Sequence, residues 1–144
     1  MDISLKMTTL PINANWPQYA EDERQAALDV LTSGRVNYWT GSEGRSFEDE
    51  FAQAVNCNYG ICLANGTVAL ELALRSLGIT TGDEVIVTPY TFIASASAIA
   101  LQGSIPVFAD IDPSSLNITA DTISKKITNK TKAIVAVHLL GLPC

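Results

Sequence analysis

The sequence predicts an α/β fold built on a mostly parallel sheet flanked by helices. From Tyr59 onward, short β-branched runs alternate with helical ones, the element order of such a fold. The runs "VIVT", "VFA" and "AIVAV" are near-continuously apolar, as strands covered on both faces must be. No repeat at a fixed period, low-complexity segment or charge run interrupts the chain, so one partial domain is expected rather than two.

The run Glu21–Ser33, "EDERQAALDVLTS", opens with acids in its first turn and is stopped by Gly34, which suits a helix macrodipole at one end and a C-cap at the other. A second helix is expected over Ser46–Val55, with Phe47, Phe51 and Val55 four residues apart on one face. Between them, "GRVNYWTGSEGR" reads either as a plain connector or as a surface presenting Tyr38 and Trp39 to a ligand or partner. Strands are then expected at Gly60–Ala64, Glu84–Thr88, Pro106–Ala109 and Ala133–His138. Helices are expected at Thr67–Leu77, Phe92–Leu101 and Ala120–Ile127. Residues 1–58 thus hold N-terminal helices and a loop, and residues 59–144 hold the alternating strands and helices.

Composition excludes several classes of function. With 144 residues, 47% of them hydrophobic, the chain can bury roughly 70% of the surface its unfolded form exposes, enough for one core. A net charge of −6 and only nine, scattered, basic residues argue against a nucleic-acid or anionic-membrane surface. The stretch "MDISLKMTTLPINANWPQYAEDE" lacks the basic start and apolar run of a signal peptide. No segment approaches the roughly 20 apolar residues of a membrane span, so a cytoplasmic location is expected. Cys57, Cys62 and Cys144 have neither an even count nor a metal-ligand spacing, and read as unpaired thiols with no metal site. The sequons at Asn65, Asn117 and Asn129 are chance matches in that setting.

The informative stretch is Leu63–Leu74, "LANGTVALELAL", where Asn65, Gly66 and Thr67 break an apolar run just before a strong helix former. A plain Asn-Gly turn explains it, and so does an anion seat. The helix is apolar nearly all round apart from Glu71 and Arg75, so it is expected to lie buried between the sheet and another layer. Its N-terminus leaves about four backbone N–H groups to be satisfied. Gly66 removes the Cβ that would block an approaching ligand, and the Thr67 hydroxyl adds a donor, which together suit a phosphate. The next junction, "VTPYTFIASASAIA", brings Phe92 to the same rim. Its ring either covers the sheet end as core or offers a flat face beside the anion seat. A phosphate seat beside an aromatic platform suits a phosphorylated aromatic cofactor.

These motifs occur in a recognisable order. "CLANGTVALELAL" (Cys62–Leu74), "GDEVIVTPYTFIASASAI" (Gly82–Ile99), "PVFADIDPSSLNI" (Pro106–Ile118) and "KAIVAVHLLGLPC" (Lys132–Cys144), preceded by "SGRVNYWTGSEGRSFEDEF", closely resemble the N-terminal part of one family. It is the DegT/DnrJ/EryC1/StrS family of pyridoxal-phosphate-dependent sugar aminotransferases. The resemblance covers nearly the whole chain and implies the N-terminal part of a fold type I transferase large domain. It implies pyridoxal 5'-phosphate (PLP) as cofactor, with Gly66 and Thr67 on its phosphate, Phe92 stacked on its pyridine ring, and Asn65 as helix cap and further contact. The loop Tyr38–Gly41 would lie near the active-site mouth, where family members bind a nucleotide-linked keto sugar across a homodimer interface.

By the same resemblance, the Schiff-base lysine and the aspartate that pairs with the pyridine nitrogen lie beyond Cys144. No catalytic residue is therefore assigned here. Lys6, Lys125, Lys126, Lys130 and Lys132 fall outside any family lysine motif. The implied activity is transfer of an amino group, from glutamate, to a nucleotide-linked keto sugar, by a protein of which this chain alone is an inactive fragment. Two alternatives stay open: a sugar dehydratase of the same family, in which histidine replaces the lysine, and a non-catalytic truncated module. His138 at a strand end and the pair Asp110 and Asp112 read as structural, the pair as an Asx-type turn.

Overall fold

The computed structural model describes residues 17–144; Lys6 and most of the N-terminal stretch discussed above lie outside the described residues. The chain divides into two compact units, with the boundary between Cys62 and Leu63.

The first unit holds helices α1 (Glu21–Ser33) and α2 (Glu43–Ala54). Acids Glu21, Asp22 and Glu23 fill the first turn of α1, and Gly34 ends it at φ 69°, its N–H donating to the Leu31 carbonyl. That left-handed stop is the one the sequence predicts, because glycine adopts it without Cβ strain. Helix α2 starts three residues before the expected Ser46. The Ser42 carbonyl already accepts from the Ser46 N–H at 2.9 Å, and Arg45 ties the first turn to the carbonyls of Tyr38 (2.9 Å) and Gly41 (2.6 Å). Phe47 and Phe51 stack at 5.6 Å between centroids, yet both remain more than half exposed.

The strand expected at Gly60–Ala64 does not form. A strand needs a ladder neighbour, and the Cys62 N–H is instead taken by the Glu48 carboxylate at 2.7 Å. Gly60 is lodged against the Glu48 backbone, where an added Cβ would lie 2.5 Å from the carbonyl oxygen.

The second unit contains α3 (Gly66–Ser76), β1 (Glu84–Val87), α4 (Ala94–Ala100), β2 (Ile105–Phe108), α5 (Ala120–Ser124), β3 (Thr131–Val135) and a 3-10 turn (Leu139–Gly141). The strands form a parallel sheet in the order β2-β1-β3. Central β1 is apolar at three successive positions because both its faces are covered. Val85 and Val87 join Leu74, Ile79, Ala96, Ala98 and Ile99 on the side of α3 and α4, while Ile86 joins Ala109 and Ile118 on the other. Val85, Ile86 and Val87 are 0% exposed.

The outer strands depart from the expectation of full burial. Ile105, Phe108 and Ile134 each expose more than two-fifths of their surface, because they are edges with one neighbour only. Pro106 is tolerated in β2 for the same reason. Helix α3 also departs from it. Only Leu74 is buried, and Val68 and Leu72 are exposed. Helices α4 and α5 are shorter than expected; Phe92 and Ile93 form a turn leading into α4, with the Ser95 N–H bonded to the Phe92 carbonyl. Strand β3 ends at Val135, ahead of the expected His138.

The topology fixes where a ligand can sit. From β1 the chain crosses through α4 to β2 on one side, then returns through α5 to β3 on the other, so the connections part at the carboxyl end of β1. Ligands of open α/β sheets bind at such switch points.

Candidate cofactor-binding site

Asn65, the residue before α3, is extended (φ −168°, ψ 170°), which frees its side chain to fold back over the first turn. Its Oδ1 accepts from the Val68 N–H at 3.0 Å, a helix N-cap as expected. The cap stops there. Among the described residues, the N–H groups of Gly66 and Thr67 have no hydrogen-bond partner. They point out of the positive end of an 11-residue helix.

Among the described residues, nothing requires Gly66 to be glycine. Its φ is not positive, and a Cβ added there would meet nothing within 4 Å. Glycine at a helix start forgoes helix propensity, so what it provides is open space in front of two unpaired amides.

That space is a cavity of about 540 Å³ lined by Asn65, Gly66, Thr67, Leu70, Phe92, Ala94 and Ser95. All four residues singled out from the sequence thus line one cavity. Phe92 is 74% exposed, which overturns the reading of it as a core residue covering the sheet end. It stands beyond the end of β1, past Thr88, whose hydroxyl accepts from the Tyr90 N–H and turns the chain there. Leu70, Ala94 and Ser95 were missed by sequence reasoning. Leu70 and Ser95 each lie three residues after a predicted site residue, Thr67 and Phe92, and that spacing is the signal that finds them. The lining can hold an anion against the α3 amides and the Thr67 hydroxyl, and a flat ring against Phe92.

The loop of the first unit is built differently. Asn37 Oδ1 accepts from the N–H groups of Trp39 and Thr40 at 3.0 and 3.1 Å, making a tight turn that leaves Trp39 87% exposed. The Tyr38 hydroxyl donates to Glu48 at 3.0 Å, with the Arg45 guanidinium 5.4 Å from its ring centre. The Glu48 hydrogen bond, more than any other influence, raises the Tyr38 pKa above the ordinary phenol value. Both rings of the loop are thus exposed, Trp39 at 87% and Tyr38 at 46% with its hydroxyl engaged by Glu48. A cavity of about 580 Å³ beside it includes Arg35 and Arg45 together with Asp29 and Glu43, charges that cancel and give no preference for an anion.

Other candidates are structural. His138 accepts the Cys144 N–H at 3.1 Å, closing the last turn. Asp112 accepts from the Ser114 and Ser115 N–H groups, as an Asx-type turn requires, whereas Asp110 accepts from the adjacent Ile111 N–H and makes no such turn. The cysteines are free and exposed, and no metal-binding cluster occurs among the described residues. Glu71 and Arg75 form no ion pair among the described residues.

Comparison with known proteins places the chain in a family. The sequence profile of the DegT/DnrJ/EryC1/StrS aminotransferase family matches residues 17–144. A GDP-perosamine synthase of Escherichia coli O157:H7 is 49% identical over 131 residues, 89% of this chain and 35% of that protein. The structure of an aminotransferase from Psychrobacter cryohalolentis superposes with a TM-score of 0.87 at 52% identity, over 90% of this chain and 33% of that one. A Streptococcus pneumoniae protein solved in a PLP form gives a TM-score of 0.82 at 37% identity, over 89% of this chain and 32% of that one. This chain spans about a third of the length of the curated relatives it matches. The match runs from residue 17 to residue 144 over the parallel sheet, and the chain belongs to the DegT/DnrJ/EryC1/StrS aminotransferase family.

Proposed function

We propose that this chain supplies the cofactor seat in the large domain of a PLP-dependent aminotransferase that moves an amino group from glutamate to a nucleotide-linked keto sugar. The observation that carries the reading is Gly66, a glycine that neither backbone conformation nor packing requires, opening onto two unpaired helix amides. When bound, PLP supplies an electron sink for the reaction. The chain's residues supply the hold. The Gly66 and Thr67 amides and the Thr67 hydroxyl donate to the phosphate, Asn65 keeps the first turn of α3 formed, and Phe92 stacks on the ring. A sugar substrate is supported by the 49% identity to a GDP-perosamine synthase. A homodimer is supported by the exposed Val68 and Leu72 of α3, which leave a second copy apolar surface to cover. A cytoplasmic location is supported by free, exposed cysteines, and no helix among the described residues is long and apolar enough to cross a membrane.

The test uses pyridoxamine 5'-phosphate, which cannot condense with surface lysines, with pyridoxamine and inorganic phosphate as controls. In ¹⁵N–¹H spectra of the chain, the two phosphate-bearing probes should shift the Gly66 and Thr67 amides, and pyridoxamine should not. Thr67→Ala removes a hydrogen bond to a charged group and should weaken both phosphate-bearing probes by about 10- to 100-fold. Gly66 and Thr67 amides that do not move at millimolar pyridoxamine 5'-phosphate would refute the seat.

A further inference from the structure

One polar side chain in this cavity has no part in the seat described so far. Ser95 lies three residues after Phe92 in α4, half-buried, and lines the cavity with Gly66 and Thr67. Its hydroxyl is 2.9 Å from that of Thr91, one helical turn earlier. Two hydroxyls so paired share one proton, and the proton of the accepting one stays free to donate elsewhere.

The cavity has a need for such a proton. No lysine or arginine lines it. Toward a phosphate there, the described residues of the lining offer neutral donors alone, and its three terminal oxygens are strong acceptors. The two α3 amides and the Thr67 hydroxyl leave acceptor capacity unfilled; Asn65, whose Oδ1 accepts from Val68, has only its Nδ2 amide left to donate. Ser95 is the remaining hydroxyl in the lining.

We propose that Ser95 is a phosphate ligand in this cavity, and that Thr91 is a positioning residue that donates to Ser95 Oγ and so turns the Ser95 proton toward the bound phosphate. The proposal rests on the phosphate-seat reading above. Thr91 itself does not line the cavity, so it acts only through Ser95.

The same three probes test it on the chain carrying Ser95→Ala, Ser95→Thr or Thr91→Val. Ser95→Ala should weaken pyridoxamine 5'-phosphate and inorganic phosphate by about tenfold and leave pyridoxamine unchanged. Ser95→Thr, which keeps the hydroxyl, should restore affinity, and Thr91→Val should show a smaller loss confined to the phosphate-bearing probes. Should Ser95→Ala fail to fold, Thr91→Val carries the test alone. A lowered melting temperature with unchanged phosphate affinity would overturn the proposal, since Ser95 would then only close the Thr91 bond. Equal weakening of pyridoxamine would overturn it too, placing the hydroxyl on the ring. If the wild-type Gly66 and Thr67 amides ignore pyridoxamine 5'-phosphate, the seat itself fails and Ser95 with it.

Discussion

Replacing Phe92 by leucine separates a packing role from a ligand-facing one, and the structure sets the size of each. Phe92 is 74% exposed, so about a quarter of its surface is covered by protein. A fully buried phenylalanine covers about 150–250 Å², so a quarter is about 50 Å², worth about 1 kcal/mol at about 25 cal/mol per Å². Leucine keeps most of that. The apo protein should therefore lose less than about 0.5 kcal/mol, no more than about 3 °C in melting temperature. A stacked ring contact is worth about 0.5–1.5 kcal/mol, so pyridoxamine 5'-phosphate should bind about 2- to 12-fold more weakly. Inorganic phosphate, which has no ring, should bind as before. Phe92→Tyr keeps the aromatic face and should bind the probe as the wild type does. Thermal melts by circular dichroism and ligand titrations by NMR on the same samples measure both quantities. A fall in the melt with unchanged pyridoxamine 5'-phosphate affinity would show that Phe92 serves packing after all.

Asn65→Ala should destabilise the second unit by about 0.5–2 kcal/mol in urea unfolding, and Asn65→Ser should recover most of it; equal stability of the alanine variant would mean that the 3.0 Å bond to Val68 is no cap. Gly60→Ala puts a Cβ 2.5 Å from the Glu48 carbonyl and should cost about 1–3 kcal/mol, whereas Gly66→Ala should leave apo stability intact and weaken phosphate-bearing probes. Urea titrations that ranked the two glycines the other way would refute this. The Asp112 carboxyl is held below the ordinary aspartate range, chiefly by the Ser114 hydroxyl and then by Ser115. Its depressed folded value means that its contribution is present above the unfolded pKa of about 3.9 and disappears as pH falls through the lower folded one. The Ser114 and Ser115 amide shifts should therefore titrate below the ordinary range and lose that step in Asp112→Asn; a midpoint at the ordinary aspartate value would contradict it.

Features set by a few neighbouring residues were legible in the sequence. Gly34 stops α1, Asn65 caps α3 and three successive apolar residues mark β1 as covered on both faces, and each signal lies within the element it specifies. Features set by a distant neighbour were not. Whether Gly60–Ala64 becomes a strand depends on what lies beside it, and the Glu48 carboxylate takes its Cys62 amide. The runs of β2 and β3 look as apolar as that of β1, but their burial depends on their place in the sheet. Phe92 shows the same ambiguity: its spacing is that of a core residue, and only the end of β1 puts it in the open. Ser95 was hidden because its hydroxyl matters only once Thr91 stands one turn away.

The two glycines Gly60 and Gly66 show how structure can turn an ambiguous letter into a statement about function. In sequence both stand at the edge of an apolar run. Gly60 is explained from inside the protein, because a side chain there would collide with the backbone of α2. Gly66 is not, since it has ordinary helical space around it and an allowed conformation for any residue. A residue with a cost to helix stability and no compensating contact among the described residues leaves room for a partner, which is the reading proposed above. On the reading proposed above, two amides at the positive end of α3 suit negative charge, and Phe92 in the same lining suits a flat ring. A phosphate or a planar ring alone would satisfy one wall and leave the other unused. A molecule carrying both, with the phosphate against Gly66 and the ring against Phe92, meets both demands.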